Sequence, residues 1–136
     1  VLAGKSDFFY ERLKTQFSNL SNIRFIGEIS DSELSKFYSN CSFFVYPSLS
    51  EGFGIQIVEA LGLGAKVCCS NNTVFPEIAE NNAFYFDPTK IEDMVDVFKR
   101  TIESEKRITK EEILKLKNKY SWKISAQMHH NLYEKA

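Results

Sequence analysis

At 136 residues, 43% of them hydrophobic and 26% charged, the chain has the balance of an ordinary globular domain, and its length supports a core without disulfide or metal staples. Seventeen basic against eighteen acidic residues leave a net charge of -1, which removes the positive field that a dedicated nucleic-acid or anionic-membrane binder relies on. No apolar run approaches the ~18 residues of a membrane span and no signal-peptide pattern opens the chain, so a cytoplasmic location is expected.

Val1-Leu2-Ala3-Gly4 reads as the end of a strand, and an opening at Val rather than Met suggests excision from a longer protein. Phe9, Leu13 and Phe17 recur at helical spacing, which predicts a helix over residues 8–17. Asn22 to Phe25 is a short apolar run ending at Gly27, and Ser30-Asp31-Ser32-Glu33 is a capping-box pattern that opens a helix through Leu34, Phe37 and Tyr38. Phe43-Phe44-Val45-Tyr46 is apolar on both faces, the pattern of a parallel strand covered on two sides, and Pro47 ends it. A loop containing Ser48, Ser50, Gly52 and Gly54 leads into a predicted helix from Ile55 to Leu63, with Gly62 and Gly64 at its exit.

Lys66-Val67-Cys68-Cys69 is the next short strand, Pro76 suits the first turn of a short helix ending near Ala79, and Ala83 to Phe86 is a strand closed by Asp87-Pro88. Beyond it the pattern is helical. Thr89-Lys90-Ile91-Glu92 and Thr109-Lys110-Glu111-Glu112 are capping boxes, and Ser121 is placed to cap a last helix through Ile124, Met128 and Leu132. Strand and helix alternating with short connections predict an α/β fold: a parallel sheet with helices on both faces, followed by an all-helical segment. Trp122 in that segment is expected to pack against the sheet, with part of the segment's apolar face exposed.

Three cysteines, two of them adjacent, make no disulfide framework, and buried strand thiols are the expectation. His129 and His130 are neighbours that point about 100° apart on a helix, so no metal site is expected. Three Asn-x-Ser/Thr patterns, at Asn19, Asn40 and Asn71, are taken as chance in a chain without a secretion signal.

In parallel α/β sheets ligands bind beyond the carboxyl ends of the strands, which directs attention to the loops after Gly4, Gly27, Pro47 and Cys69. Ser50-Glu51-Gly52-Phe53-Gly54 follows a buried strand, holds two glycines that let a ligand approach the backbone, and delivers the chain to a helix N-terminus whose free N–H groups favour an anion. Glu51 and Glu59 frame that helix start with seven residues between them. At ~1.5 Å per residue Glu59 is expected roughly 8 Å into the helix. Each carboxylate can accept from two neighbouring hydroxyls, so the spacing fits a ribose at one end, a sugar at the other and phosphates between. The alternative is a solvated loop glutamate and a charge on the outer side of an amphipathic helix.

Pro47-Ser48-Leu49-Ser50-Glu51-Gly52-Phe53-Gly54 followed by Val58-Glu59-Ala60 closely resembles the E-x7-E signature of the retaining glycosyltransferases of family 4, which have the two-Rossmann-domain GT-B fold. Asn22-Ile23-Arg24-Phe25-Ile26-Gly27, Leu34 to Tyr38, Ser70-Asn71, Pro76-Glu77-Ile78, Tyr85-Phe86-Asp87-Pro88 and Tyr120-Ser121-Trp122 extend the resemblance over nearly the whole chain. It implies the C-terminal, donor-binding half of a GT-B enzyme. Residues 1–136 are then expected to be a single shortened nucleotide-sugar-binding domain, lacking its first strand and helix, the basic pair that clamps the diphosphate there, and the N-terminal acceptor domain. On its own such a fragment is expected to be inactive.

Residue by residue, the resemblance implies that Glu51 contacts donor-sugar hydroxyls as the catalytic glutamate, that the backbone N–H groups of Phe53, Gly54 and Ile55 meet the sugar and diphosphate, and that Glu59 holds the ribose. Main-chain groups of Gly27 and Ile29 are expected to read the nucleobase. Lys5 is a weaker candidate on the same rim, and Glu77 is expected to cap or brace the site. Ala65-Lys66-Val67-Cys68-Cys69 departs from the family's proline-containing strand, a change expected to bear on packing more than on ligand contact. Ser70 to Pro88 resembles the mannosyl- and rhamnosyl-transferases of bacterial surface polysaccharides, such as lipopolysaccharide and capsule, which implies a GDP-mannose or UDP-sugar donor and no metal. The expected partners are that donor and a glycan or lipid-linked acceptor bound through the absent domain. Nucleic acid is excluded, and peripheral association of the longer protein with the inner face of the cytoplasmic membrane is allowed. Two other readings stay open: a nucleotide-binding or structural module without turnover, and, more distantly, a sugar-nucleotide epimerase.

Overall fold

The computed structural model describes residues 1–72 and 74–135, and the Asn-x-Thr pattern that ends at Thr73 therefore runs outside the described residues. The chain divides into two compact units, Val1–Lys36 and Phe37–Ala136.

In the first unit, β1 (Leu2–Ala3) pairs in parallel with β2 (Phe25–Gly27), and α1 (Phe8–Gln16) lies between them in sequence. Of the apolar run that starts at Asn22 and ends at Gly27, only Phe25–Gly27 forms the strand. Asp7, which sequence reasoning passed over, is the N-cap of α1 and accepts the Tyr10 N–H at 2.9 Å. The Tyr10 ring meets Phe25 edge-on at 5.5 Å, and its hydroxyl accepts the Gly27 N–H at 2.5 Å. The unit closes with the first turns of α2 (Asp31–Asn40), where the expected capping box is formed: Glu33 accepts from both the N–H and the hydroxyl of Ser30, and the Glu33 N–H returns to Ser30 Oγ at 3.4 Å.

The second unit is built on a parallel sheet in the order β3 (Phe44–Tyr46), β4 (Val67–Ser70), β5 (Ala83–Phe86). Its helices are α3 (Ile55–Gly62), α4 (Phe75–Ala79), α5 (Ile91–Glu103), α6 (Lys110–Lys119) and α7 (Trp122–Tyr133), with a 3-10 turn at Glu80–Asn82 that the sequence reading did not foresee. β4, at the centre, is buried along all four residues; β3, expected to be covered on both sides, borders the three-stranded sheet and is half-buried, with Val45 packed on one face and Tyr46 on the other. Alternation assigns the faces. Cys68 packs with Phe86 of β5 and Val97 of α5, together with Val45 and Phe84, while Val67 and Cys69 point the other way. Tyr46, in register with Cys69, faces Phe75 of α4 and Gln56 of α3, so helices cover both sides as the alternating sequence predicted.

Buried polar groups in this unit bind the sheet to α5. Thr101, fully buried, donates to its own helix at Val97 O (2.7 Å) and lies 2.9 Å from Cys68 Sγ, giving the thiol a partner in an apolar setting. Lys66 reaches the last turn of α5, donating to the carbonyls of Thr101 and Ser104, where the end of a helix welcomes a cation. Cys68 and Cys69 are buried free thiols, as expected, and burial pushes Cys69 up to about 12; Cys41 is a half-buried free thiol.

Three expectations for the helical third need correction. Thr89 does not cap α5: its N–H and hydroxyl both go to Asp87 Oδ1, Lys90 takes the N-cap position, and Asp93 reaches back to the Asp87 N–H. An Asx-type turn at Asp87, two residues earlier, outcompetes the box because Pro88 favours a turn there. Ser121 occupies the N-cap of α7 but makes no side-chain bond there. Trp122 does not pack against the sheet; it is 78% exposed, and α7 buries none of its residues. The Thr109–Glu112 box forms in full.

At the entrance to α3, Gly54 has φ +82°, and a Cβ built there would lie 2.7 Å from Phe75 Cε1. Gly54→Ala is therefore expected to lower stability by about 1–3 kcal/mol through strain and overlap. Urea denaturation checks this, and an unchanged midpoint contradicts the packing described. Phe86, with no exposed surface and ringed by Phe98 at 5.5 Å, is expected to cost about 3–5 kcal/mol on truncation to alanine. Burial first, and the negative charge of Glu59 next, push the Tyr38 hydroxyl up to about 12 from its ordinary 10. A group whose pKa is raised by folding supports the fold below its unfolded pKa and loses that support as pH rises through the folded value. Stability is accordingly expected to fall between about pH 10 and 12, with Tyr38→Phe less sensitive over that window; a variant whose alkaline profile overlays the parent's would refute the assignment.

Candidate functional site

The loop from Pro47 to Gly54 joins the carboxyl end of β3 to α3, the position at which parallel sheets receive ligands. Its main-chain course is fixed at three points. Gly54 packs under Phe75, Phe53 meets Tyr120 edge-on at 5.3 Å, and Asn72, from the loop after β4, donates to Leu49 O at 2.6 Å. The Asn72 Oδ1 is buried without a partner among the described residues.

Because Gly54 caps α3 with its backbone alone, no side chain closes the helix start. The N–H groups of Phe53, Gly54, Ile55 and Gln56 find no acceptor among the described residues, which leaves a row of free donors at the positive end of a helix dipole. Such an arrangement accepts an anion. The sequence foresaw this feature from the glycines and the helix start.

Glu51 is half-buried at the mouth of this row. One carboxylate oxygen, Oε1, accepts from the Tyr46 hydroxyl at 2.8 Å and the Ser48 hydroxyl at 3.0 Å, whereas Oε2 has no partner among the described residues. Burial, then the bond to Glu51, push the Tyr46 hydroxyl up to about 12, so at neutral pH it remains the donor. Tyr46 and Ser48 were not singled out as site residues from the sequence. The legible signal was a single phenol at the end of an otherwise apolar strand, five residues before the glutamate.

Glu59 is the fifth residue of α3, about one turn in and so ~6 Å from the helix start rather than 8 Å. It is exposed, and its charge is felt at the buried Tyr38 hydroxyl of the same unit. Glu77 lies exposed in the first turn of α4, whose N-cap, Val74, makes no side-chain bond. In the other unit Gly27 uses both of its main-chain groups, donating to Tyr10 Oη and accepting the Gly4 N–H at 3.0 Å; those of Ile29 have no partner among the described residues. Lys5, which follows Gly4, is exposed, its carbonyl accepting the Asp7 N–H. Among the described residues no group of three or more His, Cys, Asp or Glu is placed to hold a metal ion, and no helix is long and apolar enough to cross a membrane. His129 bonds within α7 to Ser125 O, and His130 pairs with Glu134 at the helix's C-cap.

Residues 1–119 match the family described as "Glycosyl transferases group 1". The O-antigen chain mannosyltransferase B of Escherichia coli is 40% identical over 70 residues, covering 52% of this chain and 18% of that protein. The serotype-specific mannosyltransferase WbdA of Escherichia coli is 34% identical over 110 residues, 79% of this chain and 14% of that protein. The chain thus spans less than a fifth of the length of these two relatives. Among solved structures, a sucrose-phosphate synthase from Thermosynechococcus elongatus superposes with a TM-score of 0.78 over 98% of this chain and 37% of its own, at 21% identity. That likeness matches the α/β fold of a GT-B C-terminal domain, and the family match over 119 residues goes further: the chain belongs to the group 1 glycosyl transferases.

Proposed function

We propose that this chain is the donor-binding part of a retaining glycosyltransferase that takes a hexose, mannose in the first instance, from a nucleoside diphosphate sugar and passes it to a glycan or lipid-linked acceptor in the synthesis of a cell-surface polysaccharide. The observation that carries the reading is the conjunction at α3: a row of N–H groups that suits a diphosphate, beside a carboxylate with one oxygen held by two hydroxyls, the N–H groups and the other oxygen having no partner among the described residues. The mannosyltransferase names of the similar proteins support mannose, and GDP-mannose as the donor to test first; a UDP-sugar is the other donor class.

In this reading Glu51 Oε2 accepts hydroxyls of the donor sugar, the N–H groups of Phe53, Gly54 and Ile55 meet the sugar and diphosphate, and Glu59 takes the ribose hydroxyls. Glu77, in the first turn of α4, braces the site rather than reacting. During transfer the bond from the anomeric carbon to the diphosphate oxygen breaks, a bond to the acceptor oxygen forms, and the acceptor proton passes to the departing phosphate. Negative charge then grows on the diphosphate, where the α3 donors are already aimed, so the helix start stabilises the transition state more than the ground state. No metal is part of the proposal. The acceptor is bound elsewhere in the protein, in the cytoplasm or at the inner membrane face.

Two substitutions divide the site. Glu59→Ala is expected to weaken GDP and GDP-mannose alike by about 1.5–3 kcal/mol, the range for hydrogen bonds to a charged group, with little change in stability because the residue is exposed. Calorimetric titration of the full-length protein checks it, and equal affinity in parent and variant would remove the ribose assignment. Glu51→Ala is expected to weaken GDP-mannose while sparing GDP. An equal loss for both ligands would show that Glu51 does not serve the sugar.

A further inference from the structure

We propose that Tyr46 is a positioning residue for Glu51, transmitting the rigidity of the sheet to the carboxylate that selects the sugar; this deepens the donor-site reading and rests on it. Glu51 stands in a loop, and a glutamate there has three side-chain torsions to lose before its carboxylate has a fixed direction. No regular element supplies that order. Tyr46 does, because its ring is fixed twice within its unit: it stacks on Phe44 at 5.9 Å with 28° between planes, and it meets Phe75 edge-on at 5.6 Å and 72°. A tyrosine has two side-chain torsions, and with both set by packing its hydroxyl becomes a fixed point at the edge of the sheet.

That hydroxyl has one proton, and the carboxylate takes it at 2.8 Å. The Gln56 amide lies 3.3 Å away. Its Oε1 is the second, weaker acceptor of the same hydroxyl, behind the carboxylate at 2.8 Å. Gln56 lies in the first turn of α3, so the chain of bonds ties the carboxylate to the helix whose N-terminus receives the phosphates. Ser48 adds the second bond to the same Oε1 at 3.0 Å. With Oε1 doubly occupied, Oε2 is the atom left to accept from a ligand, and its direction is inherited from the phenol. Tyr46 therefore governs sugar discrimination without touching the sugar.

Tyr46→Phe keeps the ring and removes the bond. In the full-length protein, with GDP and GDP-mannose as probes, it is expected to leave GDP affinity unchanged and to reduce the preference for GDP-mannose over GDP by about five- to tenfold, in keeping with the loss of a charge-assisted hydrogen bond. Ser48→Ala, in the loop and outside the aromatic packing, is expected to reduce the same preference by a smaller factor, and it serves if the phenylalanine variant fails to fold. Introduced on top of Glu51→Ala, Tyr46→Phe is expected to change nothing further, a result that a merely structural tyrosine would not give. The inference is overturned if Glu51→Ala abolishes the sugar preference while neither Tyr46→Phe nor Ser48→Ala alters it, the donor-site reading surviving. A sugar preference that survives Glu51→Ala overturns the donor-site reading itself, and this inference with it.

Discussion

The close approach of Gly54 to the ring of Phe75 is the constraint on which the candidate site depends. With a Cβ position 2.7 Å from that ring, only glycine lets α4 and the start of α3 pack this tightly, and the left-handed backbone it adopts turns the loop into the helix without a side-chain cap. Two consequences follow from one residue. The loop N–H groups remain unengaged, and Phe75 is held where it can in turn support the ring of Tyr46. Stability and ligand chemistry are thus coupled in this corner of the sheet, since the packing that fixes the aromatic cluster also leaves the donors free.

Around that corner the rest of the second unit acts as a support. The central strand β4 is buried on both faces, which makes its register with β3 unambiguous and fixes where β3 ends. Tyr46 is the last residue of β3, in register with Cys69, so the phenol leaves the sheet at a defined height beside the loop it anchors. The α5 side contributes through Thr101 and Lys66, whose bonds fill the polar needs of an otherwise apolar layer. By contrast α7 buries nothing, and its Trp122, Met128 and Leu132 remain at the surface.

Much of this was legible in the sequence, for reasons that differ by element. The capping boxes at Ser30 and Thr109 were readable because both partners of each bond lie within four residues. The box at Thr89 failed for the same local reason: Asp87 and Pro88 offered the backbone a competing turn two residues earlier. Apolar runs identified β3 and β4 as strands, but which of them is central depends on pairing between distant residues, and periodicity carries no information on that. Trp122 was misplaced because an aromatic residue in a helix reads as core whether or not a partner surface is present. In the site, the glycines and the two glutamates were visible as a motif. The cradle was not, since Tyr46 and Ser48 reach Glu51, and Gln56 reaches Tyr46, only once strand, loop and helix have folded together.

On the function proposed above, a nucleoside diphosphate sugar binds at the start of α3. Amide chemical shifts of the full-length protein, recorded while GDP-mannose is added, test it most directly. The largest shifts are predicted at the N–H groups of Phe53, Gly54, Ile55 and Gln56, which find no acceptor among the described residues. Saturable shifts that spare these four amides while moving others would contradict it.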